Sequence, residues 1–183
     1  MSTTTTAHPT PPSTAQAQPT SNAVPQPPAG LSWVTELQTG DTRMDDTHEE
    51  FVAMLNTLLA TPPRDQLPLY REFLAHTVAH FEQEERWMVA TGFSADNCHA
   101  THHATILDTM RAVETHYLEG DNEIIQRLAE ALVEWFPQHA ATMDAGLALH
   151  LKDVGFDSHT ETLADPSKVR AATMSGCGSV SCS

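Results

Sequence analysis

The chain has 183 residues, of which 24 are acidic and 9 are Lys or Arg, so its formal net charge is −15. Because phosphate contacts need clustered Lys and Arg, this balance argues against nucleic acid and against an anionic membrane surface as partners. No run approaches the roughly 20 apolar residues of a membrane-spanning helix, and the N-terminus lacks the basic and apolar regions of a signal peptide. Three cysteines do not make a disulfide framework. We therefore expect a cytoplasmic protein, in which 11 histidines are the one unusual count.

The two ends of the chain differ in composition from its middle. Residues 1–30 are mainly Thr, Pro, Ala, Gln and Ser, and such a segment buries too little apolar surface to offset its ordering entropy. We predict that it is disordered. Residues 158–183, which contain Cys177 and Cys182, are predicted to be a flexible tail. The two cysteines are expected to be free thiols, with a disulfide between them or a metal site as the alternatives. One domain, residues 31–157, lies between them.

The first two helices are predicted from apolar residues at helical spacing. The first runs over about 45–60 and is ended by Pro62-Pro63. The second runs over about 66–90, where Pro68 is tolerated in the first turn and Gly92 is a C-terminal stop.

Two more helices and an N-terminal arm complete the predicted domain. A third helix, capped by Ser94 or Asp96, is predicted to end at Gly120. A fourth follows it and contains Pro137, which should kink the helix or change its local hydrogen bonding. Because the connections are short, the four helices are predicted to form an all-α, antiparallel up-down bundle. Residues 31–44 precede it as an arm that lies against the bundle.

Each predicted helix carries polar residues on its apolar face. The pairs His80/Glu84 and His99/His103 have i,i+4 spacing, which places the two side chains one turn apart on one face. Asp144 follows His139 by five residues, about 140° further round an α-helix, but it can still lean towards the same interior. The full set of candidate ligands is His48, His80, Glu84, His99, His103, His139 and Asp144.

Taken singly, these residues have ordinary explanations. A lone buried histidine is more often a hydrogen-bonded core residue, and His80 with Glu84 can be a local hydrogen bond. Together, five imidazoles and two carboxylates cannot all satisfy one another in one core, and their unpaired burial would cost several kcal/mol. Metal binding removes that cost. The donor set exceeds what one tetrahedral zinc takes and fits two bridged ions, with Fe, Mn and Zn all compatible and the many imidazoles favouring iron.

The motifs that carry these residues resemble the hemerythrin family, in particular the bacterial hemerythrins. The resemblance covers about residues 31–157 and rests on MDDTH (44–48), HFEQEE (80–85), HATHH (99–103) and WFPQHAATMD (135–144). It implies a non-haem site of two iron ions joined by an oxo or hydroxo bridge. One iron would be held by His99, His103 and His139 and the other by His48 and His80, with Glu84 and Asp144 bridging both.

The resemblance also implies a function and shows two departures. In the family, dioxygen binds reversibly, so the expected role is oxygen carriage, storage or sensing without turnover. A di-iron redox enzyme that handles peroxide or NO, and an iron-buffering protein, are the alternatives. Phe136 stands where the family usually has a leucine that lines the oxygen pocket, and Pro137 follows it. The larger ring is expected to narrow the pocket or redirect access.

Three residues near these motifs are predicted to have no part in the site. His76 and His102 are expected to be exposed helix histidines. Cys98 is expected to be an ordinary thiol beside His99.

Overall fold

The computed structural model describes residues 30–93 and 98–169. Four helices pack against one another in a ring, each against the preceding and the following one, and the predicted all-α four-helix bundle is confirmed. The fourth continues through a π-helical turn, Ala140–Asp144, into a fifth helix. None of the described helices is long and apolar enough to cross a membrane. The helices are α1 (Thr42–Ala60), α2 (Leu67–Thr91), α3 (Cys98–Leu118), α4 (Ile124–His139) and α5 (Ala145–Val154).

The helix ends follow local sequence signals. Asp41 caps α1 by accepting a hydrogen bond of 3.0 Å from the Met44 backbone N–H, so α1 begins three residues before the predicted start at 45. Pro68 lies in the first turn of α2, and Gly92 ends this helix in the left-handed region with φ of 67°. The predicted caps of α3, at residues 94 and 96, lie outside the described residues.

Pro137 lies inside α4 without ending the helix. Proline has no N–H to donate, and its ring crowds the carbonyl four residues earlier. The α-helical pattern persists to His139, and the next five residues form the π-helical turn. A local change in hydrogen bonding therefore lies close to Pro137.

The N-terminal arm is fixed to α1 by side-chain hydrogen bonds. The Asn56 carboxamide accepts from the Leu31 N–H at 2.9 Å and donates to the Leu31 carbonyl at 2.8 Å. Asp45 accepts from the Thr39 N–H, the Thr39 hydroxyl and the Gly40 N–H. Between these anchors Leu37 is buried in a single 3₁₀ turn. Of the segment predicted to be disordered, residues 1–29 lie outside the described residues.

A short hairpin contacts the N-terminus of α1 and the side of α2. Strands β1 (Phe156–Asp157) and β2 (Thr162–Leu163) pair antiparallel after α5. The Ser158 hydroxyl donates to the Asp41 carboxylate at 2.8 Å, and Arg86 of α2 pairs with Glu161 at 3.1 Å. Ser158 and Glu161, at the start of the segment predicted to be a flexible tail, thus contact the N-terminus of α1 and the side of α2.

Two apolar clusters fill the bundle, with a polar layer between them. On α1, Met44 belongs to one cluster and Phe51 to the other, and His48 lies between them. On α4 and α5, Phe136 belongs to the same cluster as Phe51, and Leu147 belongs to the same cluster as Met44. His139 and Asp144 lie between these two positions in the chain. The helices thus bring their polar residues to one level of the core.

We expect Asn56→Ala to lower the free energy of unfolding by about 1–2 kcal/mol, because it removes both hydrogen bonds to Leu31. Urea denaturation measures the change. Thr57→Ala is the matched control, since Thr57 is exposed on the same helix and its hydroxyl bonds only within α1. Equal unfolding free energies for the two variants would show that the arm contact contributes nothing.

Candidate metal centre

All seven predicted ligands meet in the polar layer. Each is at most 3% exposed, so none is hydrated as it would be at a surface. They come from four helices and the π-helical turn. In each of these elements the predicted ligands are on the same buried face as the apolar residues, so they point into the core. The residues are His48 from α1, His80 and Glu84 from α2, His99 and His103 from α3, His139 from α4 and Asp144 from the turn.

The Glu84 carboxylate turns one oxygen to each side of the layer. Its Oε1 lies 2.9 Å from His80 Nε2 and 3.9 Å from His48 Nε2. Its Oε2 lies 3.2 Å from His99 Nε2 and 3.4 Å from His103 Nε2. A carboxylate divided in this way has the arrangement of a bridging ligand.

Asp144 repeats this division on the opposite wall. Its Oδ2 lies 3.2 Å from His48 Nε2, whereas its Oδ1 lies 2.9 Å from His99 Nε2 and 3.1 Å from His139 Nε2. The π-helical turn makes this possible, because i→i+5 hydrogen bonding brings residues five apart closer to one face than an α-helix does.

The potential ligand atoms form two groups. Within each group one ligand atom per residue lies within 4.8 Å of all the others. The smaller group is His48, His80 and Glu84, and Glu84 also belongs to the larger group. The larger group is Glu84, His99, His103, His139 and Asp144.

Many of these atoms lack hydrogen bonds among the described residues. His48 Nε2, His99 Nε2, Glu84 Oε2 and both oxygens of Asp144 are buried without a partner of suitable geometry. They lie close together, as in the 2.9 Å between His99 Nε2 and Asp144 Oδ1, but not with the geometry of a hydrogen bond. Leaving buried polar groups in this state is costly, and metal binding among them would relieve that cost. The donor set of imidazoles and carboxylates fits Fe, Mn or Zn.

Without metal, protons balance the two buried carboxylates. Burial lowers the pKa of His48, but the carboxylates of Asp144 and Glu84 outweigh it and raise this pKa to about 9. The same opposition raises the pKa of His99 to about 10. Burial dominates at His103, whose pKa falls to about 3. Burial disfavours the charged forms of Glu84 and Asp144, yet the surrounding histidines hold both pKa values well below the usual range.

Aromatic rings enclose the imidazoles. The Phe81 ring stacks on His103 with centroids 3.8 Å apart and an interplanar angle of 4°. Trp135 stacks on His139 at 4.4 Å.

The other half of the centre has its own aromatic cover. Phe136 meets His48 edge-on at 5.1 Å and stacks on Phe51 at 4.7 Å. Trp33 of the arm contacts the same imidazole, with ring centroids 6.3 Å apart. The site is therefore dry and held by rings that leave little freedom to the ligands.

Residues beside the centre match the predictions in part. His102 is exposed, as predicted, whereas His76 is only 17% exposed and lies 3.2 Å from Glu50. Cys98 is disulfide-bonded, so the prediction of an ordinary thiol there is wrong. The predictions for Cys177 and Cys182 lie outside the described residues. One carboxylate near the centre, that of Glu85, was not predicted to have a role.

Comparisons with known proteins point to one family. The sequence model of the hemerythrin HHE cation binding domain matches residues 39–149. A bacteriohemerythrin of Ralstonia nicotianae is 33% identical over 134 residues, which cover 73% of this chain and 98% of the relative.

More distant relatives agree with this assignment. A bacteriohemerythrin of Aquifex aeolicus is 30% identical over 120 residues, covering 62% of this chain and 92% of the relative. A bacteriohemerythrin of Pseudomonas aeruginosa is 25% identical over 122 residues, covering 64% of this chain and 79% of the relative. No solved structure matches the chain significantly. The matched domain spans the whole polar layer, and the chain therefore belongs to the hemerythrin family.

Proposed function

We propose that the chain binds two iron ions in this centre and, through them, binds dioxygen reversibly. The observation that carries the proposal is the division of both carboxylates, since Glu84 and Asp144 each turn one oxygen to each side of the layer. A site for one cation would not need this arrangement. Family membership and the names of the bacteriohemerythrin relatives support iron over the other compatible metals.

The proposed ligand sets are unequal. His99, His103 and His139 would hold one ion, His48 and His80 the other, and Glu84 with Asp144 would bridge them. The side with two imidazoles has one protein ligand fewer and is thus the side where an exogenous ligand can bind. Iron, when bound, supplies the redox chemistry on which reversible dioxygen binding depends.

The surrounding residues protect such a ligand from water. Phe51 and Phe136 are each 1% exposed and lie on the side of the centre that contains His48. Trp33 contacts the His48 ring as well. Exclusion of water limits proton delivery to the bound ligand and so limits irreversible loss of electrons. This enclosure favours binding over turnover.

The proposal is tested by reducing the iron-loaded protein without air, admitting air, and then removing the air under vacuum. A visible absorption band that appears in air, disappears under vacuum and returns would support reversible binding. Immediate conversion to a stable ferric spectrum would contradict it and favour redox chemistry with peroxide or NO. More than two irons per chain would instead favour iron buffering.

Glu84→Ala should reduce the iron content from about two ions per chain to fewer than about one, because it removes a ligand shared by both groups. Iron analysis after gel filtration measures the change. His76→Ala is the control, since it removes a neighbouring histidine that pairs with Glu50 and belongs to neither group. Equal iron content in the Glu84→Ala variant and the parent would refute the bridging role.

Metal binding should release roughly two protons per chain at pH 7.5, because His48 and His99, with pKa values of about 9 and 10, must lose their protons to become ligands. Metal affinity should therefore rise with pH up to about 10 and fall as the solution is acidified. Calorimetry in buffers of different ionisation enthalpy counts the protons. Affinity that is independent of pH between 7 and 9 would contradict this protonation of the metal-free site.

Phe136→Leu should accelerate binding of azide, used as a probe, because it removes the ring edge that lies against His48. The smaller side chain should also lower the free energy of unfolding by about 1–2 kcal/mol. Stopped-flow absorbance of the ferric protein measures the rate. Phe73→Leu is the control, because Phe73 is equally buried and packs on the same Phe51. Equal azide rates in both variants would show that Phe136 does not restrict access.

A further inference from the structure

We infer that Glu85 is a positioning residue for His103. Its Oε1 lies 3.9 Å from His103 Nδ1, on the side of the ring away from the centre. That Nδ1 atom is buried and has no hydrogen-bond partner among the described residues. Among the five imidazoles of the layer, His103 is the one with a carboxylate within 4.0 Å of Nδ1 in the described part of the chain.

The chemistry of the imidazole makes this neighbour important. His103 turns Nε2 towards the centre, 3.4 Å from Glu84 Oε2 and 3.2 Å from His139 Nε2. If Nε2 binds a cation, the ring proton must be on Nδ1, where it becomes a buried donor. A carboxylate that accepts this proton fixes the tautomer, orients the ring and increases its basicity as a ligand.

Phe81 and Glu85 fix different properties of the His103 ring. Phe81 stacks on His103 with an interplanar angle of 4° and fixes the plane of the imidazole. It cannot accept the Nδ1 proton. Glu85 can, since a movement of about 1 Å would bring its oxygen within hydrogen-bond distance. Its side chain is 48% exposed and free enough to make that movement.

Glu85 also lies in a surface groove on the outer face of α2. The groove is lined by Glu82, Glu85, Arg86, Val89 and Ala90. Glu82 has the same charge and lies on the same helix, but no described contact joins it to a residue of the layer. It therefore distinguishes a specific contact with His103 from a general effect of negative charge in the groove.

This inference rests on the proposed function, because it concerns a metal held through His103. The test uses Glu85→Ala, Glu85→Gln and Glu82→Ala in the full chain. Each variant is loaded with Fe²⁺ under anaerobic conditions, and transfer of iron to a coloured chelator is timed. We expect loss to be roughly tenfold faster from Glu85→Ala than from the parent. Glu85→Gln keeps an oxygen acceptor, so its rate of iron loss should be much closer to that of the parent. Glu82→Ala should lose iron at the same rate as the parent.

Equal rates for Glu85→Ala and Glu82→Ala would overturn the inference. Thermal unfolding of the metal-free variants separates positioning from structure, because Glu85→Ala and Glu82→Ala should then unfold at the same temperature. A loss of metal-free stability confined to Glu85→Ala would assign Glu85 a structural role and also overturn the inference. Failure of the parent to bind iron would refute the proposed function itself, whereas normal iron binding with no Glu85 effect refutes only this step.

Discussion

The fold depends on one costly feature, a layer of five imidazoles and two carboxylates buried between two apolar clusters. Packing alone does not explain such a layer, because apolar residues of similar volume would fill the same space without desolvation. The polar groups also fail to satisfy one another, since both oxygens of Asp144 and the Nε2 atoms of two histidines have no hydrogen bond among the described residues. The layer thus favours positive charge, which protons on His48 and His99 supply without metal and which bound cations would supply with ligand bonds.

The π-helical turn is the backbone feature that lets His139 and Asp144 both contribute to this layer. His139 and Asp144 must both face the centre, yet residues five apart diverge on an α-helix. The turn at Ala140–Asp144 brings them together, and each reaches the other across 3.1 Å. Pro137 lies just before the turn and removes one backbone donor from the helical ladder. A local departure from α-helical hydrogen bonding therefore has a functional result, as is common for π-turns.

Helix faces and six of the seven converging residues could be predicted from sequence because a period of 3.6 residues fixes which side chains share a face, whereas Asp144 reaches the centre through a π-helical turn that this period does not predict. His80 with Glu84 and His99 with His103 are the clearest cases. Glu85 could not be found in this way, since its importance comes from a contact with another helix. The hairpin at Phe156–Leu163 was missed because two-residue strands carry no periodicity. The buried Gln66, whose amide donates to the carbonyls of Leu58 and Thr61 at the end of α1, could not be predicted either, because these contacts join residues that helical spacing does not relate.

The two halves of the centre also differ in what covers them. The half with His99 and His103 lies on α3, with His139 of α4 beside it. The half with His48 is covered partly by Trp33, which belongs to an arm held mainly by side chains such as Asn56. Opening such a segment costs less free energy than unwinding a helix. In the proposed centre, the half with fewer protein ligands is therefore covered by a segment that opens at lower cost than a helix, so ligand capacity and access coincide.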